Sequence, residues 1–263
     1  MIIKDKFEGL SSFASQMGYV HLHLNENFKK SLKLLKETIS TTPKSEKDLP
    51  KNDPLTVGLF YDLLMKIDRF LKKHKLPYWA TCGTLLGVVR HHGMIPWDDD
   101  IDLAMFEEDV RRLLQLEETL VKINLGLAFH PKYEFYKIFP LDGELILRDN
   151  GEPYPWRFPF VDIFAMRDIQ EKYTYTGQIW QEEGLKKDYF TDQELQFPLP
   201  ELPFGPLYIP VPHSPINYVK RMYGPDWNEV AFASYSHRNE QFVKKIKIDL
   251  IDRSPPDYIL PTH

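Results

Sequence analysis

The chain has 263 residues, a length for one large domain or for one domain with an extension. Hydrophobic residues make up 43% and charged residues 27%, an ordinary globular balance. Thirty-three basic residues stand against 38 acidic ones, a formal net charge of −5, which argues against a protein that binds nucleic acid mainly by neutralising phosphate. Cys82 is the single cysteine, so an internal disulfide framework and a cysteine-based zinc site are excluded.

The N-terminus runs into charge at Lys4, Asp5 and Lys6, too early for a signal-peptide core. No run of about 18 uncharged apolar residues occurs. The expectation is a soluble, cytoplasmic protein from a reducing compartment.

Residues 27–39 place Phe28, Leu32, Leu34 and Leu35 at helical spacing with lysines between them, which predicts an amphipathic helix. Residues 40–53 are rich in Thr, Ser, Lys, Pro and Asp and read as a linker. The expected division is a helical extension with linker over 1–53 and a folded domain over 54–263. Residues 54–75 carry Val57, Phe60, Leu63, Leu64, Ile67, Phe70 and Leu71, a strong helical stripe that Pro77 ends. A short strand at 78–80 follows, then a glycine-punctuated helix over 83–90. A strand is expected at 100–105, and one helix over 107–123 with an acidic first turn.

Beyond residue 124 aromatic and β-branched residues dominate, and strands are expected at 133–139, 144–147, 160–164 and 172–175. The proline-dense run from Pro198 to Pro215 predicts no regular structure. A helix over 216–223 and a polar tail with a further short helix complete the reading. The fold class is α+β, a mixed sheet flanked by helices.

The most informative stretch is Pro96-Trp97-Asp98-Asp99-Asp100-Ile101-Asp102-Leu103. Carboxylates this close repel one another unless a cation sits among them. Alternation along a strand sends Asp98, Asp100 and Asp102 to one face, with Asp99, Ile101 and Leu103 on the other. Such a front of hard oxygen donors suits a divalent cation and phosphate. A solvated acidic loop is the plain alternative, and Ile95, Trp97, Ile101, Leu103 and Met105 weigh against it. An EF-hand starting at Asp98 fails, because Leu103 stands where the loop needs glycine and Pro96 breaks the helix that should precede it.

A second acidic position lies in Phe160-Val161-Asp162-Ile163-Phe164. A lone carboxylate in an apolar strand is costly to bury without partners. Either backbone donors satisfy Asp162, or a neighbouring strand joins it to Asp100 and Asp102. Gly83-Thr84, opening a helix, offers free backbone N–H groups to a phosphate, although a plain turn with an N-cap would look the same. Arg90 and Lys137 are candidate phosphate-facing cations, or solvated surface residues. Trp97, Tyr154, Trp156 and Phe158 are either a cage for a quaternary ammonium group or core anchors. His91, His92, His237 and Arg238 are fainter candidates.

The segment from Tyr78 to Asp102, with Thr81-Cys82-Gly83-Thr84-Leu85-Leu86-Gly87 and Pro96-Trp97-Asp98-Asp99-Asp100-Ile101-Asp102 within it, resembles the signature of the LicD/fukutin family. Phe160 to Phe164 resembles that family's second acidic strand, and Tyr223-Gly224-Pro225-Asp226-Trp227 its C-terminal element. The similarity spans roughly residues 54–230. It implies a nucleotidyltransferase fold of the polymerase-β type and a phosphotransferase activity. Members move a phospho-alcohol, such as phosphocholine or ribitol phosphate, from a CDP donor to a glycan hydroxyl, and a fungal branch is associated with mannose phosphate. By the resemblance, Asp98, Asp100, Asp102 and Asp162 fall on metal positions for Mg²⁺ or Mn²⁺, and Gly83 and Thr84 on the phosphate-contacting turn. Asp100, Asp102 and Asp162 are the expected catalytic residues, with Asp162 as acceptor of the hydroxyl proton. Gly83, Thr84, Arg90, Lys137 and Trp97 are expected at the substrate. The single Cys82 departs from the zinc-bearing insertion of fukutin-related enzymes, and no Golgi-type membrane anchor is expected, so the resemblance is to the short LicD-like branch. Two alternatives stand beside this reading: nucleotidyl transfer from a nucleoside triphosphate, and a non-catalytic glycan- or partner-binding domain on the same fold.

Overall fold

A computed structural model describes residue 49 and residues 51–148, 150–177, 187–236 and 241–262, with the side chains of 232–247 excepted. All of these lie in one compact unit, Pro43–His263. The helix expected at 27–39, His237 and Arg238 lie outside the described residues.

The described elements begin with helix α1 (Pro54–Lys73). The Asp53 carboxylate accepts from the amides of Leu55 and Thr56 at 2.9 and 3.0 Å, and Pro54 takes the first helical position. The predicted stripe is the buried face, with Val57, Phe60, Leu64, Ile67 and Leu71 fully enclosed. Each such side chain contributes roughly 1.5–3 kcal/mol on burial. The end of the expected linker is part of the packed unit. Leu49 is buried against Ala231, Ile248 and Leu250, and the Asn52 amide donates to the Pro96 carbonyl at 2.8 Å.

Strand β1 (Trp79–Ala80), helix α2 (Cys82–His91) and strand β2 (Ile101–Phe106) follow in the predicted order. The single helix expected over 107–123 is two, α3 (Glu107–Leu114) and α4 (Glu117–Val121). At the junction the Leu116 amide bonds the Leu113 carbonyl at 2.9 Å, a tightened turn that redirects the chain. Strand β3 (Leu125–His130) was not anticipated, whereas β4 (Phe135–Pro140), β5 (Glu144–Leu147), β7 (Val161–Asp168) and β8 (Lys172–Tyr175) were; β6 (Pro153–Phe158) and β9 (Phe190–Thr191) complete this part.

The main sheet runs β1-β2-β7-β4-β3, with β8 on the far half of β7 and β9 beyond it. Strands β2 and β7 are parallel and the other pairs antiparallel, so the sheet is mixed as expected. Ile101, Leu103, Val161 and Ile163 are fully buried, so hydrophobic packing fixes the register of the two strands that carry the acidic residues.

Two expectations about the C-terminal third are corrected. The proline-dense run folds as a hairpin, β10 (Glu201–Phe204) with β11 (Leu207–Pro210). A two-stranded ribbon has free edges, where a residue without an amide proton costs no ladder bond. After helix α5 (Pro215–Tyr223) the tail forms a second hairpin, β12 (Val230–Ser236) with β13 (Gln241–Asp249), not a helix. Among the described residues no helix is long and apolar enough to cross a membrane.

Candidate active site

Three neighbouring strands present a row of charges. Asp102 on β2 pairs in register with Asp162 on β7, and Asp162 with Lys137 on β4. Residues opposite one another in a sheet share a face, so negative, negative and positive side chains lie side by side. Asp100, one residue before β2, completes the group. Ligand atoms of Asp100, Asp102 and Asp162 all lie within 4.8 Å of one another. Their exposures are 3%, 7% and 1%, so the carboxylates stand largely outside water. Asp98 and Asp99 form a half-buried flank with Asp100.

Lys137 is fully buried, and its ammonium donates to both oxygens of Asp162, at 2.9 and 3.0 Å. Ring faces enclose the remainder of that ammonium: Phe160 at 3.6 Å, Phe135 at 5.0 Å and Trp156 at 5.4 Å from the centroids. The Lys137 ammonium offsets part of the charge of the three carboxylates, and an all-oxygen donor set of this kind suits a hard divalent cation.

Helix α2 packs its N-terminus on the row. The Gly83 amide donates to Asp102 Oδ2 at 3.2 Å, and the Asp102 amide donates to the Thr84 hydroxyl at 2.7 Å. The positive end of the helix therefore faces carboxylates. A Cβ on Gly83 would sit 2.7 Å from Asp98 Oδ2 and 3.5 Å from Asp102 Oδ2, so a side chain at this turn would make the Asp98 carboxylate turn away.

The structure thus gathers Asp98, Asp100, Asp102, Asp162, Lys137, Gly83 and Thr84. Arg90 and Trp97 face elsewhere. The Arg90 guanidinium donates to the Trp227 and Val230 carbonyls at 3.1 and 3.2 Å and to His91 Nε2 at 3.0 Å, tying the end of α2 to the C-terminal segment. Trp97 is half-buried, edge-on to His91 at 5.8 Å, against the cluster of Leu49, Ala231, Ile248 and Leu250. His91 is enclosed, and burial followed by the Arg90 charge lowers its pKa to about 4. His92 ends α2 in the left-handed conformation. Trp156 and Phe158 are buried at 2% and 7% exposure, and the cation that Trp156 meets is the Lys137 ammonium. Tyr154 stacks on Trp156 at 4.8 Å.

A further buried acid, Asp188, has no signal in the sequence. Its carboxylate accepts from the Tyr218 hydroxyl at 2.7 Å and the Tyr175 hydroxyl at 3.1 Å, with Cys82 Sγ at 3.8 Å. The Tyr218 hydroxyl also accepts from the Cys82 amide at 3.3 Å and lies 3.2 Å from Thr81 Oγ1. This network holds the turn that leads into Gly83, where Cys82 has a left-handed φ of 43°. Burial raises the Asp188 pKa to about 6 and pushes the Cys82 thiol well above its ordinary range, so Cys82 is a neutral packing residue. The Asp188 partners lie 13, 30 and 106 residues away in the chain, beyond any local pattern.

Residues 75–214, more than half of the chain, match the family described as LicD/FKTN/FKRP, nucleotidyltransferase domain. An uncharacterized protein of Rickettsia prowazekii is 29% identical over 177 residues, 67% of this chain and 58% of that protein. The lipopolysaccharide cholinephosphotransferase LicD of Haemophilus influenzae is 39% identical over 99 residues, 35% of this chain and 36% of that one. Ribitol-5-phosphate transferase FKTN of Mus musculus is 27% identical over 168 residues, 63% of this chain and 32% of that one. The solved structure of the lincosamide antibiotic adenylyltransferase LnuA, lincomycin-bound, aligns with 63% of this chain and 98% of that one at 14% identity and a TM-score of 0.37. The chain spans about half the length of the two Rickettsia relatives it matches. With the family match spanning the acidic strands, the Gly83 turn and the Lys137 strand, this chain belongs to the LicD/FKTN/FKRP nucleotidyltransferase-domain family.

Proposed function

We propose that the protein is a metal-dependent phosphotransferase that moves a phospho-alcohol or sugar phosphate from a nucleotide-activated donor to a glycan hydroxyl. The observation that carries the reading is the registered pair Asp102 and Asp162 on adjacent parallel strands, with Asp100 beside them. The names of the LicD and FKTN relatives support the class of cargo, phosphocholine or ribitol phosphate.

Asp100, Asp102 and Asp162 would hold Mg²⁺ or Mn²⁺, with Asp98 at the edge. The ion's contribution, when bound, is charge neutralisation at the donor's phosphate oxygens. The other work belongs to the chain. Asp98 and Asp102 already crowd the Gly83 turn, so a donor diphosphate approaches Gly83 and Thr84 against two carboxylates and needs a cation with it. The acceptor hydroxyl oxygen forms a bond to the distal phosphorus, the bond from that phosphorus to the nucleoside monophosphate breaks, and the monophosphate departs, with the hydroxyl proton passing to its freed oxygen or to solvent. Positioning and electrostatics supply most of the rate in such transfers. Asp162 has the Lys137 ammonium on both oxygens, so its part is to hold charge in place, and proton acceptance there requires that ion pair to loosen.

The test is incubation of the purified protein with CDP-choline, CDP-ribitol or GDP-mannose plus Mn²⁺ and a glycan acceptor, with CMP or GMP measured by mass spectrometry. Metal-dependent release from one donor, lost in Asp102→Asn, supports the reading. Pyrophosphate release from CTP without monophosphate release from any activated alcohol would replace it with nucleotidyl transfer. Binding of Mn²⁺ with neither release would leave a non-catalytic domain.

A further inference from the structure

We propose that Lys137 is a built-in cation that keeps the acidic site's own affinity for a divalent ion low, so that the ion enters together with the diphosphate of the donor. The nucleotide half of this rests on the transferase reading above; the electrostatic half stands on the geometry alone.

The Lys137 ammonium cannot leave. Its side chain is fully buried, it bonds both oxygens of Asp162, and Phe160, Phe135 and Trp156 close around it. A surface lysine would swing into water when a competing cation arrived, whereas this one has no such path. A divalent ion drawn to Asp162 must share its two oxygens with a fixed positive charge at hydrogen-bond distance. Without Lys137, three carboxylates with ligand atoms within 4.8 Å would make a strong, permanently filled site. With it, the cluster stays together when no ion is present and has one negative charge fewer with which to hold one. Diphosphate oxygens carry the missing negative charge, so the ion and the donor bind better together than either does alone.

The experiment measures Mn²⁺ binding to the full-length protein, from the loss of the free-ion EPR signal, for wild type, Lys137→Met, Lys137→Gln and Lys137→Arg. Methionine keeps the length and the ring contacts without the charge. The expected result is that the two neutral variants bind Mn²⁺ roughly tenfold or more tightly than wild type, the sign set by removing a fixed like charge from a poorly solvated site. Their melting temperatures rise more on Mn²⁺ addition than that of wild type, and Lys137→Arg keeps wild-type affinity. Neutral variants that bind Mn²⁺ no better than wild type, or more weakly, overturn the proposal. Wild type needs no substitution for the second arm, so the test survives a neutral variant that does not fold. Its Mn²⁺ affinity should rise roughly tenfold on adding CDP, and an affinity that CDP leaves unchanged overturns joint entry. Monophosphate release from activated alcohols is scored separately, so a failed transferase reading and a failed role for Lys137 give different patterns.

Discussion

Replacing Asp188 with asparagine should uncover a pH dependence that wild type conceals. Burial raises the folded pKa of Asp188 from 3.8 to about 6, partly offset by the hydroxyls of Tyr218 and Tyr175. The folded protein therefore holds this proton in a range where the unfolded chain has released it. The resulting stabilisation is fully present below pH 3.8 and is lost as the pH climbs through 6. About two units at 1.36 kcal/mol each make this about 3 kcal/mol. His91 works in the opposite sense. Burial and the Arg90 charge lower its pKa from 6.5 to about 4, so its contribution is present above pH 6.5 and is lost as the pH falls to 4. By the same arithmetic it is also worth about 3 kcal/mol. Over pH 4 to 6.5 the two nearly cancel. In Asp188→Asn the His91 effect stands alone, and the variant should lose about 2 kcal/mol relative to wild type between pH 6.5 and pH 4.5. Urea unfolding followed by tryptophan fluorescence at pH 4.5, 5.5, 6.5 and 7.5 measures this directly. If the wild-type and Asp188→Asn stability curves stay parallel within about 1 kcal/mol, the buried-acid reasoning is wrong.

Three further outcomes follow from particular contacts. Tyr218→Phe keeps the ring stacked on Phe190 at 4.4 Å but removes the hydroxyl that serves Asp188, Cys82 and Thr81, and should cost about 2–3 kcal/mol in urea melts; a loss under 1 kcal/mol would show that the network is slack. Gly83→Ala pushes a methyl to 2.7 Å from Asp98 Oδ2. Because Asp98 is half-buried and able to turn, stability should fall by only about 1–2 kcal/mol while Mn²⁺ affinity in the presence of CDP falls severalfold, and wild-type affinity in this variant would remove Asp98 from the site. Gly205→Ala combines a φ of 58° with a Cβ 2.3 Å from the Tyr61 ring, and thermal melts should show a loss of about 2–4 kcal/mol, with wild-type stability contradicting the packing of the proline hairpin on α1.

What the sequence revealed depended on how far apart the interacting residues lie. The stripe of α1 and the strands around Asp102 and Asp162 were legible because local periodicity and burial demand the same register. The tie from Lys137 to Asp162 was not, since either a solvated or a site-facing lysine fits the alternation of β4, and only the pairing of β4 with β7 decides it. Strand β3 escaped notice because Leu-Gly-Leu-Ala-Phe-His lacks β-branched residues. The hairpin at 201–210 is hidden because proline argues against a central strand, while both strands of a ribbon are edges. Arg90 shows the opposite hazard: a cation next to the motif in sequence points its guanidinium at carbonyls 137 and 140 residues onward.

The proposed activity needs Asp102 and Asp162, on adjacent strands, and Asp100, just before the first of them, to share a cation. Crystals soaked with MnCl₂ and CDP, with data collected at the manganese absorption edge, test this most directly. One strong anomalous peak in contact with Asp100, Asp102 and Asp162 is expected, absent from crystals of Asp162→Asn. A well-ordered nucleotide with no anomalous peak at these residues, or with the peak at another place in the molecule, would contradict it.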